Sequence, residues 1–212
     1  MHTQLGSVNR HILITAAAVF WLRNKKKIDT RTLTVAAFCT AAMFVIFLVK
    51  IPISSGVHLS LTPFTGILVD PAIGACVVLV VNIFTAAIGH GRWSMIGANA
   101  PVNVIEVLVA WALHAGLKNA IRTTFPRVAL TTFVNLCTGN CAMIAIILVS
   151  GVQGVTQTQE HVIYGLTQIA AVNLAVAVIE SIVTGFMVAF IERTRPDIPG
   201  KNRDTTPLVP LG

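Results

Sequence analysis

An all-α, polytopic membrane protein is the fold class this sequence predicts, and three observations predict it. Hydrophobic residues make up 55% of the 212 positions, charged residues only 11%, and mean hydropathy is +0.80. So apolar a chain cannot be folded around one soluble core. Seven apolar runs, near 8–22, 31–49, 59–69, 71–88, 98–117, 127–150 and 166–191, are separated by polar connections. Against the roughly 20 residues a helix needs to cross the hydrocarbon layer, the first and third are short. A short helix is tolerated at that depth if it starts inside the bundle or packs against a re-entrant segment. A single transmembrane domain over 1–193 is therefore expected, followed by a disordered cytoplasmic tail over 194–212, rich in Pro, Thr, Arg and Asp with little to bury.

Orientation follows from the basic residues. Twelve of the fifteen fall in alternate connections: Arg23, Lys25, Lys26, Lys27 and Arg31, then Lys118, Arg122 and Arg127, then Arg193, Arg195, Lys201 and Arg203. These connections belong in the cytoplasm. Arg10, Lys50 and Arg92 fall on the other side, so the amino terminus, the His58 segment and the His90 loop face outward and the carboxyl terminus faces inward. The net charge of +7 is then a topology signal; a basic stripe with interleaved aromatics, as nucleic-acid binding requires, is absent. Arg10 and the apolar residues 11–22 resemble the opening of a secretory signal, but Arg23-Asn24-Lys25-Lys26-Lys27 follows directly, without a small-x-small cleavage site. The amino-terminal helix and Met1 are expected to stay.

Chemistry by the chain itself finds no support. Metalloprotease, nucleophile-elbow, nucleotide-binding and dinucleotide-binding patterns are all absent, so no enzymatic activity is expected. Cys39, Cys76, Cys137 and Cys141 lie in apolar runs without zinc-site spacing and are read as small packing residues.

Polar groups within the runs stand out, because leaving each one in lipid is costly. Asn99, Asn103 and Glu106 fall within about 60° on a helical wheel, giving the fifth helix a polar side that must face the bundle. Asn99 also stands where an N-cap belongs, with Pro101 just inside, so capping and ligand support are both open for it. Glu180 is a second intramembrane acid, and Asp70-Pro71 marks a tight cytoplasmic turn.

Of six histidines, His11 and His114 sit near helix ends and His161 in a polar outer loop, where packing or solvation accounts for them. His2, His58 and His90 map to one membrane face. With a free terminus, the amine of Met1, the amide nitrogen of His2 and its imidazole can close two adjacent chelate rings on one metal. One further imidazole, such as that of His58, completes a planar four-nitrogen set suited to Ni(II) or Cu(II) and accessible to Co(II). A histidine at the second position is also compatible with no role at all.

Met1-His2, Gly56-Val57-His58-Leu59, Thr65-Gly66-Ile67-Leu68-Val69-Asp70-Pro71, His90-Gly91, Gly97-Ala98-Asn99 and Glu192-Arg193-Thr194-Arg195-Pro196-Asp197 occur in this order along the chain. Together they resemble the CbiM/NikM family, the cobalt and nickel substrate-binding components of energy-coupling-factor ABC transporters. The likeness covers nearly the whole membrane portion. It departs at Thr3-Gln4-Leu5-Gly6-Ser7 and at Gly91-Arg92-Trp93, which adds a positive charge near the mouth.

The resemblance implies a seven-helix subunit of the plasma membrane that holds Co(II) or Ni(II), with a lean toward cobalt, through Met1, His2 and His58. His90 is implied either as a further ligand or as a group orienting one, and Asn99, Asn103 and Glu106 as a supporting polar face. The cation is then the transported substrate, and no cofactor is expected. Implied partners are a membrane coupling subunit, a pair of cytoplasmic ATPases and a small accessory membrane subunit. Ala37 and Ala41 give the second helix a small-residue face where a partner helix could approach. Two other readings share the topology: a substrate component for a small molecule such as a vitamin, and a membrane scaffold that transports nothing.

Overall fold

The computed structural model describes residues 30–48, 50–51, 57–89, 93–150, 159–195 and 198. Among these it contains six helices: α1 (Thr30–Leu48), α2 (Thr62–Leu68), α3 (Pro71–Ala87), α4 (Trp93–Leu117), α5 (Thr124–Ser150) and α6 (Gln159–Thr194). Between α1 and α2 lie two-residue strands, β1 (Lys50–Ile51) and β2 (Val57–His58), paired antiparallel with Lys50 opposite His58. The expected first helix near 8–22 and, apart from Thr194, Arg195 and Ile198, the expected tail over 194–212 lie outside the described residues.

Four described stretches are long and apolar enough to cross a membrane: Thr30–Leu48, Asn99–Leu117, Thr124–Leu148 and Ile163–Thr194. The apolar α3 is shorter at 17 residues. Polarity is arranged as a bilayer demands. Large apolar side chains face outward, including Leu33, Val45, Phe84, Phe186 and Phe190. Thr65, Thr131, Asn135, Glu106 and Glu180 are buried inside.

The seven-residue α2 forms the centre. Every one of its residues is buried, and it touches each of the other five described helices. Gly66 allows this closeness, since a Cβ there would lie 2.6 Å from the Val107 carbonyl oxygen and 2.9 Å from the Ala110 Cβ of α4. Phe64, Ile67 and Leu68 join Met43 of α1, Val78 of α3, Val107 of α4, Val128 of α5 and Val188 of α6 in one core. After α2 the chain turns at Asp70, whose side chain accepts from the Ala72 amide at 3.2 Å, and Pro71 opens α3 at a position where no amide is needed.

Two expectations about helix starts are corrected. The fifth apolar run is helical from Trp93, so Asn99 lies in the second turn of α4 and cannot be its N-cap. Pro101 denies the Gly97 carbonyl its helical partner, which ordinarily marks a boundary. Here Ile96 and Ala100 bury against Ala86 of α3, and that packing holds the first turns helical. The last run begins at Gln159, so His161 lies in the first turn of α6 and not in a loop. Glutamine and glutamate are good helix formers, and Gln159-Glu160 carry the helix past its apolar portion. With 36 residues α6 is roughly 54 Å long, well beyond the hydrocarbon thickness of about 30 Å.

Arg127 and Glu192 tie two helices at one end of the bundle. The Arg127 guanidinium lies 3.8 Å from Glu192 Oε1 and donates to the Ile121 carbonyl at 3.4 Å. The Thr124 hydroxyl donates to the other Glu192 oxygen. The first turn of α5 and the last of α6 are thereby tied. His114 is buried on α4, its Nδ1 without a hydrogen-bond partner among the described residues.

Candidate functional site

Between α4, α5 and α6 lies a cavity of about 190 Å³. Asn99, Asn103 and Glu106 line it from α4, Gly139 and Asn140 from α5, Asn173 and Glu180 from α6, and Ser60 from the segment entering α2. Helical spacing produces the first wall: positions four and three apart share a face, and that face borders the cavity. Asn173 Nδ2 donates to Asn140 Oδ1 at 3.2 Å, and Asn140 Nδ2 to the Ala170 carbonyl at 3.4 Å, joining the other two walls.

The two acids differ in what they hold. Glu106 is 7% exposed, lies near Thr62 and Glu180, and its Oε2 has no hydrogen-bond partner among the described residues. Its carboxyl group rests against Gly139, where a Cβ would come 2.7 Å from Glu106 Cδ. Glycine at that place admits the carboxylate to the cavity wall. Glu180 is fully engaged: Oε2 accepts from the Ser60 amide at 2.9 Å, and Oε1 from the Ser60 hydroxyl at 3.0 Å and the Leu61 amide at 2.8 Å. A lone buried carboxylate would be expensive, and three donors compensate it. Leu61 has φ 51°, a left-handed conformation that costs a leucine about 1–2 kcal/mol.

His58 enters through this same segment. Its backbone pairs with Lys50 in the ladder, and two residues later Ser60 forms part of the cavity wall. Met1, His2 and His90 lie outside the described residues. The structure thus brings Asn99, Asn103 and Glu106 to one cavity with the His58 segment leading into it. Among the described residues no group of three or more His, Cys, Asp or Glu side chains converges. Asn140, Asn173 and Ser60 were not singled out in the sequence. Their signal was weak, since each is an isolated polar residue within an apolar run.

Comparison with known proteins places this architecture. The profile of the CbiM family, described as the cobalt uptake substrate-specific transmembrane region, matches residues 8–198. Two proteins of Methanocorpusculum labreanum, provisionally named cobalt transport proteins CbiM 1 and CbiM 2, are 30% and 26% identical over 176 and 179 residues. Each alignment covers 80% of this chain and 75% of the relative. A crystal structure of a transition metal transporter superposes with a TM-score of 0.72 at 15% identity, over 91% of this chain and 89% of that one. A truncated transition metal transporter gives the same score at 14% identity, over 92% and 95%. At such identities the two structures speak for the fold.

The chain is therefore a multi-pass membrane transport component, and it belongs to the CbiM family. Its place is the plasma membrane.

Proposed function

We propose that this chain is the substrate-binding membrane component of an importer for a divalent transition metal, Co(II) favoured over Ni(II), driven by ATP hydrolysis in partner subunits. The observation that carries the reading is the family match over residues 8–198, joined to a polar cavity walled by Ser60 just beyond His58. The names of the Methanocorpusculum relatives support cobalt. The proposed ligands are the Met1 amine, the His2 amide and imidazole, and the His58 imidazole; His90 orients or completes the set. Asn99, Asn103 and Glu106 support it from α4. Isothermal titration of the purified chain tests this directly: Co(II) and Ni(II) bind with one-to-one stoichiometry, Co(II) more tightly. Absence of binding to either ion would reject the reading.

Energy must come from elsewhere, since the sequence holds no phosphate-binding loop. Co(II) uptake by cells producing this chain alone should stay near background, and should become ATP-dependent on co-production of a coupling subunit and an ATPase pair. Concentrative uptake by the reconstituted chain alone would replace this reading with a secondary transporter. Ala37 and Ala41, exposed one turn apart on α1, are the proposed docking face for the coupling subunit. The turn at Asp70-Pro71 and the 118–127 connection are the proposed contacts for the ATPases.

That arrangement requires the amino terminus outside and the carboxyl terminus inside. In a background lacking the native cysteines, a cysteine placed at Gln157 should react with an impermeant maleimide in intact cells, and one at Asn202 should not. The opposite labelling would invert the topology.

A further inference from the structure

We propose that Glu180 is a positioning residue for the His58 imidazole, acting through the backbone of Ser60 and Leu61. The proposal rests on the reading of His58 as a metal ligand and adds a residue far from it in sequence.

What Glu180 grips is informative. A helix-capping acceptor bonds the amide of the second or third helical residue, as Asp70 does with Ala72 at the start of α3. Glu180 bonds neither in α2. Its oxygens take the amides of Ser60 and Leu61, both before the first helical residue Thr62, together with the Ser60 hydroxyl. The carboxylate therefore fixes the turn between His58 and the helix. It also holds Leu61 at its left-handed φ of 51°.

The anchor is stiff. Glu180 is 1% exposed, near the middle of α6, and both its oxygens are occupied. His58 itself is paired with Lys50 in the ladder, and Val57 before it with Ile51. The histidine is thus held between a two-residue ladder and a buried carboxylate 120 residues away from Ser60. A metal ligand must be held within about 0.5 Å of its productive position. After the ladder the segment has a long hydrogen bond of its own, from the Thr62 amide to the Ser60 hydroxyl at 3.4 Å, and the shorter bonds are those to Glu180.

The test uses the purified full-length chain, titrated with Ni(II) and Co(II), with the ligand-field absorption of bound Ni(II) followed alongside. Glu180→Gln keeps the size but turns an NH₂ toward one of the gripped donors. It should weaken Ni(II) binding roughly 10–100-fold, as loss of a ligand-orienting group does, and shift the absorption band. Ser60→Ala removes the hydroxyl that donates to Glu180 and accepts from the Thr62 amide, and should weaken binding and shift the band in the same direction by less. Wild-type affinity and spectrum in Glu180→Gln, beside lost binding in His58→Ala, would reject the positioning role alone. If Glu180→Gln does not fold, wild-type affinity and spectrum in Ser60→Ala would reject it. If His58→Ala binds metal normally, His58 is no ligand and the positioning role falls with it.

Discussion

His2→Ala and His58→Ala each weaken Co(II) and Ni(II) binding by more than the roughly 100-fold that loss of a supporting hydrogen bond reaches. On the proposed ligand set, each substitution removes a nitrogen from the metal itself. For His2 the loss is compounded, because its imidazole closes one of the two chelate rings, and without it the Met1 amine has little reason to stay on the ion. Addition of one residue ahead of Met1 should be as damaging as His2→Ala, although every side chain is retained: the amine is then displaced from the ring. Helical content of the metal-free protein should be unchanged in all three variants by circular dichroism. Wild-type affinity in the extended protein would eliminate the terminal chelate and leave the imidazoles to act alone.

The second large effect is structural. Gly66→Ala should destabilise the protein by about 1–3 kcal/mol, the range for forcing extra volume into a packed interior. For a chain of this size that lowers the melting temperature by several degrees in detergent. The added methyl would meet the Val107 carbonyl oxygen and the Ala110 Cβ, and the first of these is backbone that cannot rotate away. Gly66→Leu should prevent folding. At Gly116, near the end of α4, a Cβ would find no neighbour within 4 Å, and Gly116→Ala should be neutral or slightly stabilising. Equal stability of Gly66→Ala and Gly116→Ala would mean that α2 and α4 are not packed as described.

Much of the fold was legible because a membrane helix announces itself by composition. The run at 59–69 was short in the sequence, and α2 is a buried seven-residue helix for the reason anticipated there: a helix that cannot span must be enclosed by protein. Asp70-Pro71 was readable because capping and proline placement are local. The starts of α4 and α6 were not. Pro101 argued for a later helix start and the polar setting of His161 for loop, and in α4 the packing of Ile96 and Ala100 overrode the first. At the cavity, periodicity set Asn99, Asn103 and Glu106 on one face, since that is a property of a single helix. It could not disclose that Asn140 and Asn173 face the same space, or that Glu180 reaches Ser60, because such meetings depend on how separate helices pack.

The shortness of α2 bears on how the protein is made. Seven residues rise only about 10 Å, a third of the hydrocarbon thickness, so this segment cannot be handed to the bilayer as a span in its own right. It leaves the ribosome well before α4, α5 and α6, which supply much of its surroundings, and more than a hundred residues before the carboxylate that grips its entrance. During synthesis the helix Thr62–Leu68 therefore cannot be enclosed until the later helices close around it. A nascent chain halted ahead of α6 would carry His58 without the carboxylate that fixes the turn after it, so the proposed site can form only once α6 has joined the bundle.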